Sequence, residues 1–256
     1  MTASAAALPS QPVQRRLSPR TIRLGRVLGD YTAGVTSLRP YRRPLIFGGS
    51  FDPPHLAHLE LPRAVAEQID ADVVVYVPAG RAPHKLDKTQ TPAHHRLAML
   101  ELAMAQTPGC VIRTDELKRA ADGRPSYTID TLEVFASELA DGATMRLLIG
   151  MDQVRIFETW KDWQRVERLA EPVVMRRREP GVGLGGEHAD PAGNAELADL
   201  SDRWRKRIVD VPYSEISSTV VRQRVVAGRS IDALVPAGVA GYIQEHGLYR
   251  ASDEED

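Results

Sequence analysis

Five apolar residues in a row, Val73-Val74-Val75-Tyr76-Val77, constrain the fold of this chain more than any other segment. Valine and tyrosine favour an extended, pleated backbone. A strand with one wet face alternates apolar and polar residues, so an unbroken run marks a strand buried on both faces. Such a strand needs helices above and below it, which parallel strands joined by helical crossovers provide. The rest of the sequence repeats the pattern. Strands are expected over 45–47, 73–77, 110–114, 145–149, 173–175 and 208–211, and helices over 56–68, 94–106, 127–140, 154–169, 217–227 and 239–246. Asp141-Gly142 is a stop signal after the third helix. The expected fold is α/β, a Rossmann-like doubly wound parallel sheet with helices on both faces and a small C-terminal helical part.

Composition sets the outer limits. The 256 residues are 43% hydrophobic, enough for one domain with a substantial core plus extensions. A net charge of −1 and a pI near 6.7 call for no nucleic-acid or membrane partner. No apolar run approaches the ~20 residues needed to span a bilayer. Cys110 is the single cysteine, so the chain cannot form an internal disulfide, and a reducing compartment, the cytoplasm, is expected. Cys110 opens the stretch CVIRT and reads as a buried filler rather than a nucleophile. Homo-oligomer formation is left open.

Residues 1–43 differ from the rest, being rich in Ala, Ser, Pro and Arg with Asp30 as their only acid. Arg15, Arg16, Arg20, Arg23 and Arg26 give them the look of a transit peptide. The same composition fits a disordered tail or translated sequence upstream of the true start. The folded domain is expected over 44–249. Within it, 179–201 reads as a mobile Gly/Ala/Asp-rich surface insertion, and 250–256 as an acidic tail.

Open parallel sheets bind ligands at the carboxyl ends of their strands, and the unusual clusters of this sequence fall there. Gly48, Gly49, Ser50, Phe51, Asp52, His55 and His58 follow the first expected strand. PAGRAPHK, with His84 and Lys85, follows the second; DELKR and GRPSYTIDTL follow the third. Gly150-Met151-Asp152 follows the fourth, and Ser217-Ser218-Thr219 with Arg222 follows the last. A Gly-rich turn into a helix start brings backbone N–H groups to an anion, and two imidazoles one helical turn apart can reach the same anion. Histidines so spaced could also bind a metal, but no Cys or third His lies near them in sequence. Ser217 to Thr219 can cap a helix and also cradle an anion at its positive end. Asp152 can cap a helix or accept from ribose hydroxyls. Trp160 and Trp163, expected on one helix, offer one ring for the core and one for stacking on a flat ligand.

The joint order GGSFDPPHLAH, PAGRAPHK, DELKR…GRPSYTIDTL, LIGMD…FETW and ISSTVVR resembles the bacterial nicotinate-nucleotide adenylyltransferases. These belong to the nucleotidyltransferase superfamily, marked by HxGH-type and ISST-type signatures. The resemblance spans roughly 44–249. It implies transfer of AMP from ATP to nicotinate mononucleotide, giving nicotinate adenine dinucleotide and pyrophosphate, a step of NAD biosynthesis. It implies that His55 and His58 contact the ATP phosphates and stabilise the transition state. Gly48, Gly49, Ser50 and Phe51 would line the nucleotide, Lys85 would neutralise phosphate, and Asp152 would hold the adenosine ribose. Ser217, Ser218, Thr219 and Arg222 would cradle the triphosphate. Thr128 and Asp130 would lie on the mononucleotide side, with Trp160 stacked on the pyridine ring. Mg²⁺ is expected to arrive with ATP, and no protein metal ligand is assigned. Ala57 stands where the family usually has glycine, and Glu179 interrupts its Arg-Pro-Gly segment. Two other readings stay open: another phosphate acceptor, such as nicotinamide mononucleotide or phosphopantetheine, and a nucleotide-binding regulator without catalysis.

Overall fold

Six strands form one sheet in the order β3-β2-β1-β4-β5-β6, and every neighbouring pair is parallel. The strands are β1 (Pro44–Gly49), β2 (Val73–Pro78), β3 (Cys110–Ile112), β4 (Met145–Gly150), β5 (Ala170–Arg177) and β6 (Ile208–Val211). The chain is seen in a computed structural model that describes residues 37–80, 90–105, 107–177 and 200–250. The helices among these are α1 (Leu56–Gln68), α2 (Ala93–Met104), α3 (Asp115–Ala121), α4 (Thr128–Glu138), α5 (Met151–Val154), α6 (Trp163–Leu169), α7 (Asp202–Arg205), α8 (Ser218–Val226) and α9 (Ala237–Glu245). The strand order reverses between β1 and β4, so the crevice of this doubly wound sheet opens at their carboxyl ends.

The valine run behaves as its composition requires. Val74 and Tyr76 point into a core covered by α1, α2, α8 and α9, including Leu61, Val65, Met99, Leu100, Val221, Val239 and Ile243. Val73, Val75 and Val77 point to the opposite face, against Leu132 and Phe135 of α4, Val166 of α6 and Trp204 of α7. Tyr76 has a further task. Pro62 lies inside α1 and lacks the N–H that would bond the His58 carbonyl four residues back. The Tyr76 hydroxyl donates to that carbonyl instead, at 2.9 Å. Burial pushes the Tyr76 pKa well up, so the hydroxyl remains a donor.

Several expectations need correction. The packed structure reaches upstream of residue 44: Leu38 is fully buried in the second core, and its N–H donates to Glu138 at 3.0 Å. The expected helix over 154–169 is three pieces: α5, a 3₁₀ turn at Phe157–Thr159, and α6. Asp162 adopts φ 50°, a left-handed conformation that short polar side chains tolerate, and breaks the run. Trp160 and Trp163 therefore do not share a helix. Helices α3 and α7 were not anticipated, and β5 runs longer than expected. Pro172 is tolerated in β5 because pairing with β6 begins only at Val174. The N-terminal 1–36, most of the expected insertion and the tail from 251 lie outside the described residues. No helix among those described is long and apolar enough to cross a membrane.

Candidate active site

The mouth of the sheet is built on the turn after β1. Gly49 is required there: a Cβ on it would sit 2.9 Å from Cζ of Phe51, whose ring folds back across the turn. Phe51 takes φ 49° and is almost wholly buried, packed edge-on against Phe47 and His58 at ring separations of 5.7 and 5.1 Å. His55 ends the turn, and α1 begins with Leu56. His55 and His58 stack with ring centroids 3.6 Å apart and planes within 18° of parallel. His55 is 2% exposed, and His58 is the more open ring.

Buried polar groups fix this turn from every side. Arg96, on the inner face of α2 and 3% exposed, donates Nη1 to the Ser50 carbonyl at 2.8 Å and Nε to the Thr91 carbonyl at 3.0 Å. Gln90 donates to the Ser50 hydroxyl at 3.3 Å. The Asp52 carboxylate accepts from the Tyr249 hydroxyl at 2.6 Å and from the Thr91 N–H at 3.2 Å. Burial and the Asp52 charge push the Tyr249 pKa up, so the phenol keeps its proton for this bond.

Helix α8 docks onto the same turn. Ser217 caps it by accepting from the Val220 N–H at 3.2 Å, and Ser218 donates to the Pro53 carbonyl at 2.8 Å. Arg222 donates Nη1 to the Asp52 carbonyl at 2.7 Å and Nη2 to the Thr219 hydroxyl at 3.3 Å. The histidines, the start of α8 and a guanidinium already held in place are thus all attached to one turn. A helix N-terminus, imidazoles and an arginine make a site for a polyanion.

The adjoining strand end supplies Asp152. It lies exposed in the first turn of α5, its carboxylate folded back so that a Cβ on Gly150 would meet it at 2.6 Å. Gln153 donates to it at 2.6 Å. On the second face, Lys161 donates to Asp130 at 3.2 Å and lies 4.5 Å from the Tyr127 ring centre. That pair links the residue after Trp160 to the first turn of α4, which carries Thr128 and Asp130. Trp160 is half-buried against Phe157, ring centres 5.2 Å apart. Of the expected phosphate residues, His55 and His58 lie on the turn after β1, and Ser218 and Arg222 of α8 bond that same turn. Of the expected mononucleotide residues, Thr128 and Asp130 share the first turn of α4, and Lys161, next to Trp160, bonds Asp130. Among the described residues no cluster of three or more His, Cys, Asp or Glu side chains is placed to hold a metal ion.

A cytidylyltransferase-like family model matches residues 46–224. The probable nicotinate-nucleotide adenylyltransferase of Chromobacterium violaceum is 36% identical over 209 residues, covering 80% of this chain and 97% of that protein. Its namesake in Bordetella petrii is 39% identical over 207 residues, 80% of this chain and 97% of that protein. The chain belongs to the nicotinate-nucleotide adenylyltransferases. A solved structure of the Plasmodium falciparum nicotinic acid mononucleotide adenylyltransferase complexed with APC has the same fold, with a TM-score of 0.56 and 16% identity, over 82% of this chain and 98% of that one.

Within this adenylyltransferase, Lys85 lies outside the described residues. Sequence reasoning gave no role to Arg96, Tyr249 or Asp52, which together hold the turn. Arg96 was detectable as a lone cation on an apolar helix face with Met99, Leu100 and Ala103. Tyr249 carried no such signal, because its partner lies 197 residues away.

Proposed function

We propose that this chain transfers the adenylyl group of ATP to nicotinate mononucleotide, releasing pyrophosphate and forming nicotinate adenine dinucleotide. The observation that carries the reading is the stacked His55–His58 pair on the very turn that Ser218 and Arg222 of the capped helix α8 bond, at the reversal point of the sheet. The attacking group is the phosphate of the mononucleotide. A phosphate monoester has a second pKa of about 6, so it is largely dianionic at neutral pH and needs no general base. The protein must instead hold two anions together in line and absorb charge as the bond to pyrophosphate breaks.

In this reading the turn Gly48 to Phe51 lines the nucleotide. His58 contacts the phosphates, and the stacked His55 fixes its ring and adds a second imidazole. Ser217, Ser218, Thr219 and Arg222 receive the triphosphate, and Lys85 adds charge from the loop after β2. Asp152 accepts from the ribose hydroxyls. Thr128, Asp130 and Trp160 receive the mononucleotide, with Trp160 against the pyridine ring. Mg²⁺ would arrive with ATP and would offset phosphate charge; among the described residues no cluster of three or more His, Cys, Asp or Glu is placed to hold it. A reducing compartment, the cytoplasm, suits a chain with one cysteine.

The test is pyrophosphate release with ATP and Mg²⁺ against a panel of acceptors. Nicotinate mononucleotide is expected to turn over fastest. Equal or faster turnover of nicotinamide mononucleotide rejects the acid preference, and no release with any acceptor rejects catalysis. In the same assay His58→Ala is expected to lower kcat by about 10²-fold or more while changing the KM for ATP little, because charge stabilisation is needed chiefly in the transition state. An unchanged kcat removes His58 from the reaction.

A further inference from the structure

The DELKR segment has no part in the reaction as described, yet its glutamate ties together three separated stretches of chain. Glu116 lies in the first turn of α3. Its Oε2 accepts from the Gly80 N–H, just past the end of β2, at 3.3 Å. Its Oε1 accepts from the Thr131 hydroxyl of α4 at 3.4 Å. Thr131 is itself 2% exposed and accepts from the Arg119 guanidinium, one turn along α3. The Glu116 backbone carbonyl accepts from the Ser126 hydroxyl at 3.2 Å. Gly80 is obligatory at this junction, since a Cβ on it would lie 2.2 Å from that same carbonyl oxygen and 2.6 Å from the Ser126 hydroxyl.

The hydrogen bonds therefore run one way, from Arg119 to Thr131 to Glu116, with Gly80 joining at the same carboxylate. Thr131 sits next to Asp130 and three residues after Thr128, in the helix start assigned above to the mononucleotide. Rotation of that helix start would break the Thr131 bond, and a shift of the β2 end would break the Gly80 bond. The Glu116 side chain bonds neither His55 nor His58; the nearest link to their turn is the backbone bond from the Ala79 N–H to the Gly49 carbonyl at 2.8 Å, which does not involve Glu116.

We infer that Glu116 is a positioning residue for the mononucleotide half of the site, setting the start of α4 against the end of β2 without touching substrate. The inference rests on the acceptor assignment under the proposed function.

The test uses the full-length protein with ATP and nicotinate mononucleotide. Glu116→Gln keeps the shape but replaces one acceptor oxygen with a donor. It is expected to raise the KM for the mononucleotide about tenfold with the KM for ATP and kcat within about twofold, the signature of lost acceptor binding alone. Thr131→Val is expected to do the same, and Thr131→Ser, which keeps the hydroxyl, to stay near the wild type. The Glu116→Gln/Thr131→Val double variant is expected to raise the mononucleotide KM by less than the product of the two single effects, because the two changes share one bond. Should Glu116→Gln fail to fold, the Thr131→Val and Thr131→Ser pair carries the test. An unchanged mononucleotide KM in active, folded variants overturns the inference, as does a parallel rise in both KM values. A wild-type protein that does not adenylate nicotinate mononucleotide overturns the functional reading instead.

Discussion

At the scale of single residues, the site depends on substitutions for missing backbone partners. Pro62 deprives the His58 carbonyl of its helical donor, and the hydroxyl of Tyr76 replaces it from the strand beneath. Tyr76→Phe leaves a buried carbonyl without a partner and is expected to cost about 1–3 kcal/mol of stability, read as a lowered denaturation midpoint. A loss well below that range shows that the carbonyl finds another donor. Gly49 and Phe51 are matched sterically instead, since the ring occupies the space that a Cβ at residue 49 would need. The glycine and the histidines were legible in the sequence because turn chemistry and spacing are local. The tyrosine was legible only as one more apolar residue of a buried strand, because its hydroxyl acts across 18 residues.

At the scale of elements, one ion cluster joins β3 to α4 and to the residues before β1. Arg113 is 1% exposed, donates to Asp115 at 2.9 Å and to Glu138 at 2.7 Å, and lies 4.4 Å from the Phe135 ring centre. Burial alone would raise the Glu138 pKa, but the bonds from Arg113 and the Leu38 N–H outweigh it and hold the carboxyl below its usual range. A carboxyl lowered in the folded state adds stability that is complete above its unfolded pKa, about 4.3, and is lost as pH falls through the folded value. Glu138→Gln is therefore expected to destabilise the protein by about 3 kcal/mol at neutral pH, by leaving part of a buried guanidinium charge unmatched. It should also reduce the loss of stability on acidification below about pH 4. Identical acid profiles for variant and wild type would show that Glu138 carries none of that dependence. The sequence located five of the six strands closely, since each is a short apolar run between turn signals. It misjudged the segment from α5 to α6 because no glycine or proline marks the break at Asp162. It passed over α3, whose short charged sequence DELKRAA buries no side chain and so shows no apolar face.

At the scale of the whole molecule, the domain begins earlier than its composition suggests. Leu38 fills the second core, and Arg42 holds Asp72 and the Asp141 carbonyl. A chain starting at Pro44 is expected to be about 2–5 kcal/mol less stable than one starting at Ser37, the range for emptying a buried leucine site. Equal melting of the two would show that residues 37–43 are dispensable. A lone leucine among arginines and prolines offers no periodicity, so this boundary could not be read before folding. The sheet order could, because short helical crossovers between parallel strands leave few right-handed arrangements. Closure of the site spans the chain from end to end. Asp52 is translated early, and the phenol that secures it belongs to Tyr249. While a ribosome is still making the protein, all six strands can emerge and pair before that phenol leaves the exit tunnel. The turn after β1 gains that clasp only once residue 249 is clear of the tunnel, so a nascent chain can be folded in its sheet while this turn is still loose.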